Sequence, residues 1–195
     1  MVALGCVRPF DVGGLPDGLP PVVAAGVYAD TLRRMLLAAK ERNALGLLPL
    51  LGGRLAAAIA GLVLNADPVP GLVLVPVPSA PAQVAIRGVD LTASLARAAA
   101  ARLRSAGLGV RVQRGLAQAR KPQDQAGLDR TQRLTNLAGA YRATGVAPPG
   151  PVVVVDDIVT TGATLAEAVR ACRAGGGHVL GAAAVAATMR GGGAR

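Results

Sequence analysis

Residues 151–165 read P-V-V-V-V-D-D-I-V-T-T-G-A-T-L, and this stretch decides the fold that we expect for the chain. Its four consecutive valines are β-branched and apolar, which is typical of a strand buried on both faces in a parallel sheet. Asp156 and Asp157 follow, and a short turn containing Gly162 leads into residues 163–173, whose composition and spacing predict a helix. The stretch therefore predicts a strand, an acidic pair, a turn and a helix in that order.

The turn has the chemistry of an anion-binding site. Backbone N–H groups at the start of a helix favour a negative charge, a glycine lets the backbone approach a ligand closely, and threonine hydroxyls add donors. The predicted phosphate cradle consists of Thr160, Thr161, Gly162, Ala163 and Thr164.

The two acids before the turn need hydrogen-bond donors or a cation as partners. Adjacent carboxylates are costly unless they accept hydrogen bonds from hydroxyls or face a cation, and a ribose diol with a magnesium ion would supply both. The residues thus predict a site for a sugar phosphate. The alternative is an acidic loop with a threonine cap that starts an ordinary helix.

The segment V-V-V-V-D-D-I-V-T-T-G-A-T resembles the fingerprint of the type I phosphoribosyltransferases, which bind 5-phosphoribosyl 1-diphosphate. The resemblance implies that Asp156 and Asp157 bind the ribose hydroxyls near a ligand-held Mg²⁺, and that the turn binds the 5′-phosphate. The phosphate loops G-x-x-x-x-G-K and G-x-G-x-x-G have a different pattern, and neither matches this stretch.

The composition limits the class of protein further. A chain of 195 residues fits one α/β domain, and the net charge of +10 suits an anionic ligand or partner. Trp is absent, and Phe10, Tyr28 and Tyr141 are too few aromatics to line a groove that stacks bases. We therefore expect weak, non-specific nucleic acid binding at most.

The first third of the chain predicts an arm and two helices. Residues 1–24 are rich in Gly and Pro and predict a loose arm, and apolar residues at helical spacing predict a helix over 28–40, with an Asp30–Arg34 pair. The apolar run 44–66 has the composition of a membrane span, but Arg54, Pro49 and two glycines interrupt it. A helix packed on the sheet is the better interpretation, and we expect no membrane partner.

Patterns of the same kind predict the remaining strands and helices. A second buried strand is predicted over 72–77, Asp90 can cap a helix over 91–104, and short strands are predicted over 109–114 and 179–188. Between them, residues 114–136 form a long, basic, polar stretch, which predicts a functional or disordered loop. Residues 191–195 predict a flexible tail.

Positions beyond the fingerprint are spaced as in the ComF-type phosphoribosyltransferase-like proteins, which are linked to DNA uptake in competent bacteria; the similarity spans roughly residues 25–190. These positions are Tyr28, Leu32, Lys40, V-P-V-P at 75–78, Arg87, Gly88, Gln125, Leu128, Arg133, Asn136 and Tyr141. Three features depart from that family: Cys6 stands where a four-cysteine zinc module is common, Glu41-Arg42-Asn43 replaces an aromatic and a glycine, and Val89-Asp90 replaces Phe-Asn.

The cysteines predict a chain without this zinc module. Cys6 is far in sequence from Cys172 and His178, and the chain has no other Cys or His, so we expect no zinc site and no disulfide, and a reduced, cytoplasmic setting. We expect Cys172 to be buried and His178 to be a solvated loop residue.

Together these patterns predict a three-layer α/β domain over 25–190 with a mainly parallel central sheet, helices on both faces and a small N-terminal hood. The ligand should bind at the carboxyl ends of the strands. The oligomeric state stays open, and a homodimer is compatible with the sequence.

The resemblance implies transfer of a phosphoribosyl group from 5-phosphoribosyl 1-diphosphate to a nitrogenous acceptor such as a base or amine, with Mg²⁺. The alternative is a non-catalytic module that binds phosphoribosyl ligands or a partner in DNA uptake. The expected pyrophosphate side consists of Pro76, Val77, Pro78, Ser79, Arg87 and Arg133. We expect the 114–136 loop to be mobile without ligand and to close over the donor, unless Leu116, Leu128 and Leu134 hold it in place.

Overall fold

The computed structural model describes residues 8–63, 71–120 and 130–189. The helices are α1 (Asp30–Glu41), α2 (Leu48–Val63, after a 3₁₀ turn at Leu45–Leu47), α3 (Pro81–Arg87), α4 (Leu91–Ser105), α5 (Arg130–Leu137) and α6 (Ala163–Ala174). The strands are β1 (Phe10–Asp11), β2 (Val22–Ala24), β3 (Leu72–Pro76), β4 (Val110–Val112), β5 (Leu116–Gln118), β6 (Tyr141–Ala143), β7 (Val152–Val159) and β8 (Val179–Ala187).

The central sheet has the strand order β1-β2-β8-β7-β3-β4. All neighbouring strands are parallel except β1, which runs antiparallel to β2 at the edge. The valine-rich β7 lies between β3 and β8, which explains why its residues are apolar on both faces. Strands β5 and β6 form a separate antiparallel pair.

The two faces of the sheet are covered by different elements. Val153 and Val155 of β7 pack with residues of α1, α2 and α4, whereas Val152 and Val154 pack with residues of α6 and of the β5–β6 pair. Side chains of a strand alternate between the faces, so one strand contributes to both cores. The predicted three-layer α/β fold with a mainly parallel sheet is confirmed.

Helix α2 is the apolar element that resembled a membrane span. By length and composition alone, Leu45–Val63 could cross a bilayer, but the core helix of a globular fold has the same properties. Leu51, Leu55 and Ile59 are fully buried, and the helix packs against α4 and β8. The prediction of a helix packed within the fold is confirmed.

Two expectations about loops are wrong in part. Residues 10–11 and 22–24, expected in a loose arm, are strands, because Val22–Ala24 find hydrogen-bonding partners in β8, far along the chain. Residues 116–118 and 130–137, expected in one long loop, form β5 and α5. Residues 121–129 of that stretch, the arm before residue 8 and the tail after 189 lie outside the described residues.

The other local predictions largely hold. Asp90 caps α4 by accepting a hydrogen bond from the backbone N–H of Ala93 at 3.1 Å. Cys172 is buried and His178 is exposed, as expected. The Asp30–Arg34 pair is not formed; the Arg34 guanidinium donates to Thr31 Oγ1 instead, at 3.2 Å.

Candidate functional site

The acidic pair lies where β7 extends beyond its neighbour β3. Pairing between these two strands ends at Pro76 and Val155, whereas β7 and β8 stay paired as far as Val159 and Ala187. Asp156 and Asp157 are therefore part of the strand, and they line a cavity at the level where pairing with β3 has ended while pairing with β8 continues. This is the edge of a parallel sheet where ligands usually bind.

The two carboxyl groups are nearly buried and differ in their surroundings. Asp156 and Asp157 are 8% and 6% exposed. Burial and the neighbouring Asp157 charge raise the pKa of Asp156 well above its usual range, although the backbone N–H of Asp157 donates to its Oδ1 at 2.8 Å. A site of this kind favours a cation or hydroxyl donors beside the acids.

Lys40, in the last turn of α1, supplies the cation beside Asp157. Its Nζ lies 2.6 Å from Asp157 Oδ2. Burial disfavours the ammonium, but the charges of Asp157 and Asp156 outweigh it and raise the pKa of Lys40. Through Lys40, helix α1 of the N-terminal region contacts the acids directly.

Tyr141, at the start of β6, borders the same cavity from the opposite layer. Burial, followed by the charges of Asp156 and Glu167, raises its pKa to about 12. Its phenol therefore stays protonated well into the alkaline range, and Tyr141 supplies an O–H group to the lining of the cavity.

Two residues of α6 hold the backbone of Tyr141 in place. The buried Glu167 accepts from the Tyr141 N–H at 3.2 Å, and Arg170 donates to the Tyr141 carbonyl at 3.1 Å. The two side chains also form an ion pair of 2.7 Å. The helix that follows the acidic pair thereby fixes the position of the tyrosine.

The turn between β7 and α6 has the geometry of an open helix start. Gly162 is the N-cap of α6 with a φ of 79°, and no side chain caps the helix; a Thr161 hydroxyl lies 3.4 Å from the Ala163 nitrogen. A Cβ at Gly162 would lie 2.8 Å from Leu15 Cδ2, so both backbone conformation and space require glycine. The Ala163 N–H is thus directed at Thr161, and the next N–H groups of α6, at Thr164 and Leu165, have no side-chain cap among the described residues and can bind an anion.

The segment after β3 forms the wall opposite the turn. Ser79 Oγ donates to Asp90 Oδ1 at 2.9 Å, and the other Asp90 oxygen accepts from Arg114 Nη2 at 3.1 Å. Asp90 thus joins the cap of α4 to the wall of the cavity, and it fixes the orientation of the Ser79 hydroxyl.

Arg87 ends α3 and lines the cavity with an unused donor. Its Nη2 donates to Gln83 Oε1 at 2.7 Å, but its Nε is buried without a hydrogen-bond partner in the described part of the chain. Among the described residues Arg54 Nε is in the same state, and Arg54 does not line this cavity. A buried unpaired N–H is costly, so Arg87 Nε is suited to an anionic ligand.

Two adjoining cavities meet at this place. The first has a volume of about 210 Å³ and contains the acids, Thr164, Ser79 and Tyr141. The second, of about 530 Å³, extends between the end of α1 and α3. Lys40, Gln83 and Arg87 line both of them.

Most of the residues predicted from sequence lie around the first cavity. Those that line it are Asp156, Asp157, Thr164, Val77, Pro78, Ser79 and Arg87. Thr160, Thr161, Gly162 and Ala163 form the adjoining turn, and Pro76 is part of β3 rather than of the cavity wall. The side chain of Arg133 lies outside the described residues.

Four further polar residues of the cavity were given no role from the sequence. Lys40, Gln83, Thr92 and Tyr141 line it as well. The spacing of Lys40 and Tyr141 was a signal, because both belong to the ComF-type pattern, whereas Gln83 and Thr92 belong to no pattern that we recognised.

Comparison with known families agrees with this geometry. The model of the phosphoribosyl transferase domain matches residues 84–195, which is more than half of the chain. The chain therefore belongs to the phosphoribosyltransferase family, and phosphoribosyl transfer is the general activity that this membership indicates. No curated protein matches the chain.

Proposed function

We propose that the protein binds 5-phosphoribosyl 1-diphosphate together with Mg²⁺ and transfers its phosphoribosyl group to a nitrogenous acceptor. The observation that carries this proposal is the meeting of a buried acidic pair and an uncapped helix start around one cavity. A sugar phosphate needs both features: carboxylates that accept hydrogen bonds from the sugar hydroxyls, and backbone N–H groups that donate to the phosphate.

The 5′-phosphate binds to the turn in this proposal. Thr160, Thr161, Gly162, Ala163 and Thr164 provide backbone N–H groups and hydroxyls at the positive end of the α6 dipole. Arg173, at the other end of α6, donates to the Gly18 carbonyl at 3.0 Å and takes no part in this site.

The acids bind the ribose hydroxyls and provide oxygen ligands for magnesium. Within the described ranges no group of three or more His, Cys, Asp or Glu could hold a metal by itself. Mg²⁺ commonly takes one or two carboxylates and completes its shell with water and substrate phosphates, which fits Asp156 and Asp157. When bound, the ion neutralises charge on the leaving diphosphate.

The wall after β3 binds the diphosphate. The segment at Pro76 to Ser79 offers backbone groups, because the Ser79 hydroxyl proton is already donated to Asp90, and Arg87 offers its unpaired Nε. We further propose that Arg133 and the other basic residues of 114–136 close over the donor and place positive charge beside the diphosphate. Closure would exclude water from the cation-like ribose during transfer.

The second cavity is the proposed place for the acceptor. It adjoins the first along Lys40, Gln83 and Arg87, so an acceptor there approaches the donor from the side of α3. Bond breaking at C1 develops positive charge on the ribose and negative charge on the diphosphate, and fixed dipoles and cations around the cavity stabilise both. No covalent nucleophile is needed.

We further propose that the chain is a ComF-type member of the family. Lys40, Arg87 and Tyr141 belong to the ComF-type pattern, and their convergence on one cavity supports this placement.

The experiment that tests the proposed activity is release of pyrophosphate from 5-phosphoribosyl 1-diphosphate, measured with Mg²⁺ against a panel of bases and amines. We expect release with at least one acceptor and none after chelation of magnesium. Donor binding without release in any combination would favour a module that binds the ligand without catalysis.

A further inference from the structure

Lys40 lies at the junction of the two cavities, and it contacts the acidic pair directly. Its ammonium is 2.6 Å from Asp157 Oδ2, and Asp157 is only 6% exposed. Lys40 and Asp157 both line the first cavity. The ammonium therefore occupies space beside Asp157 that a ligand bound to this carboxylate would need.

The position of Lys40 can change without a change in the fold. Leu36 and Ala39 are fully buried and anchor the last turns of α1 in the core. The Lys40 side chain itself is 31% exposed and has a flexible four-carbon stem. Its ammonium can reach other parts of the two cavities while α1 stays in place.

We propose that Lys40 is a counter-ion that the donor displaces from Asp157, and that its ammonium then binds the donor's diphosphate. This inference rests on the proposed function. Without ligand, Lys40 neutralises a nearly buried carboxylate that would be costly alone. With the donor bound, the ribose hydroxyls take Asp157, and the ammonium moves to the greater negative charge beside Ser79 and Arg87, which line the same cavity.

The proposal predicts that Lys40 affects the affinities for two ligands differently, although both contain a sugar phosphate. Ribose 5-phosphate must compete with Lys40 for Asp157 but offers no diphosphate in return, whereas 5-phosphoribosyl 1-diphosphate offers the ammonium a new partner. Lys40 therefore increases the preference for the diphosphate ligand.

Calorimetric titration with both ligands, at one Mg²⁺ concentration, tests this role in wild type, Lys40→Met and Lys40→Arg. We expect Lys40→Met to weaken binding of 5-phosphoribosyl 1-diphosphate by about tenfold or more, the usual loss for a hydrogen bond to a charged group. Ribose 5-phosphate should bind Lys40→Met at least as well as wild type, because its competitor is gone. Lys40→Arg keeps the charge and should keep most of the preference.

The matched control is Arg34→Met, which removes the same charge from an exposed position of α1. It should leave both affinities unchanged. Equal losses for the two ligands in Lys40→Met would leave the ratio of their affinities as in wild type. That result would overturn the role of Lys40 but not the proposed function. Failure of wild type to bind either ligand would overturn the proposed function and this inference with it.

Discussion

The side chain of Glu167 holds the backbone of Tyr141, with 3.2 Å between Oε1 and the amide nitrogen. Glu167 is 5% exposed, and its other oxygen is paired with Arg170. Burial opposes the charge of Glu167, but the hydrogen bonds from Arg170 and from the Tyr141 backbone outweigh it and lower the pKa of Glu167. The site thus depends on a charged group that lies outside the cavity.

The first prediction concerns the pH dependence that follows from this contact. Because the pKa of Glu167 is lower in the folded protein, its contribution to stability is complete above the ordinary value of 4.5 and is lost as the pH falls through the lowered value. Glu167→Gln should therefore reduce the free energy of unfolding at pH 7 by about 1.5–3 kcal/mol, and the difference from wild type should shrink in acid.

Urea denaturation of both proteins over a series of pH values measures this difference. Glu41→Gln removes an exposed carboxylate and should show no such dependence. If the difference in free energy of unfolding between wild type and Glu167→Gln stays constant into strong acid, the charge of Glu167 does not hold β6.

The second prediction concerns Asp90, which caps α4 and contacts Ser79 and Arg114. Asp90→Ala removes all three contacts and should destabilise the protein by about 1–3 kcal/mol. Asp90→Asn should cost less, because asparagine also caps helices well. Urea denaturation compares the two variants, and equal losses would mean that the charge paired with Arg114, rather than the cap, dominates.

The third prediction concerns the backbone of the turn. Gly162→Ala places a side chain at a φ of 79° and against Leu15, so it should destabilise the protein by about 1–2 kcal/mol or more. It should also weaken donor binding, because the turn must move. Gly53→Ala is the matched control: its Cβ meets nothing within 4 Å in α2, and a helical alanine should stabilise slightly. Similar thermal stability of the two variants would contradict the tight packing at Gly162.

The fourth prediction concerns residues 114–136. Strand β5 is paired with β6, and α5 packs against α6 in a small cluster of Leu137, Ala163 and the loop residue Ala140. We expect hydrogen exchange to show protection at β5 and α5 in the free protein, and additional protection in the rest of 114–136 only with donor and Mg²⁺. An exchange pattern that donor and Mg²⁺ leave unchanged would mean that this stretch does not close over the ligand.

The features predicted well from sequence are those coded by neighbouring residues. The valines of β7, the acids after them and the start of α6 lie in one short stretch, so their order specifies their geometry. The Asp90 cap was predictable for the same reason, since a cap acts on the next turn of its own helix.

The features that were missed depend on partners far along the chain. Strand β2 exists because Val22–Ala24 pair with β8, and its short sequence in a Pro-rich segment has no period of its own. The Lys40–Asp157 contact likewise requires α1 to lie over the end of β7, which only the packing of the whole domain determines. Long-range pairing of this kind leaves little local signal.

The central claim is that Asp156 and Asp157 bind the phosphoribosyl donor, and calorimetric titration with 5-phosphoribosyl 1-diphosphate tests it most directly. We predict binding by wild type that depends on Mg²⁺, and loss of that binding in Asp156→Asn/Asp157→Asn, which keeps shape and removes charge. Asp11→Asn/Asp17→Asn removes the same charge from exposed positions and should bind as wild type does. Equal affinity of wild type and the Asp156/Asp157 variant, or no binding by wild type with Mg²⁺ present, would contradict the assignment.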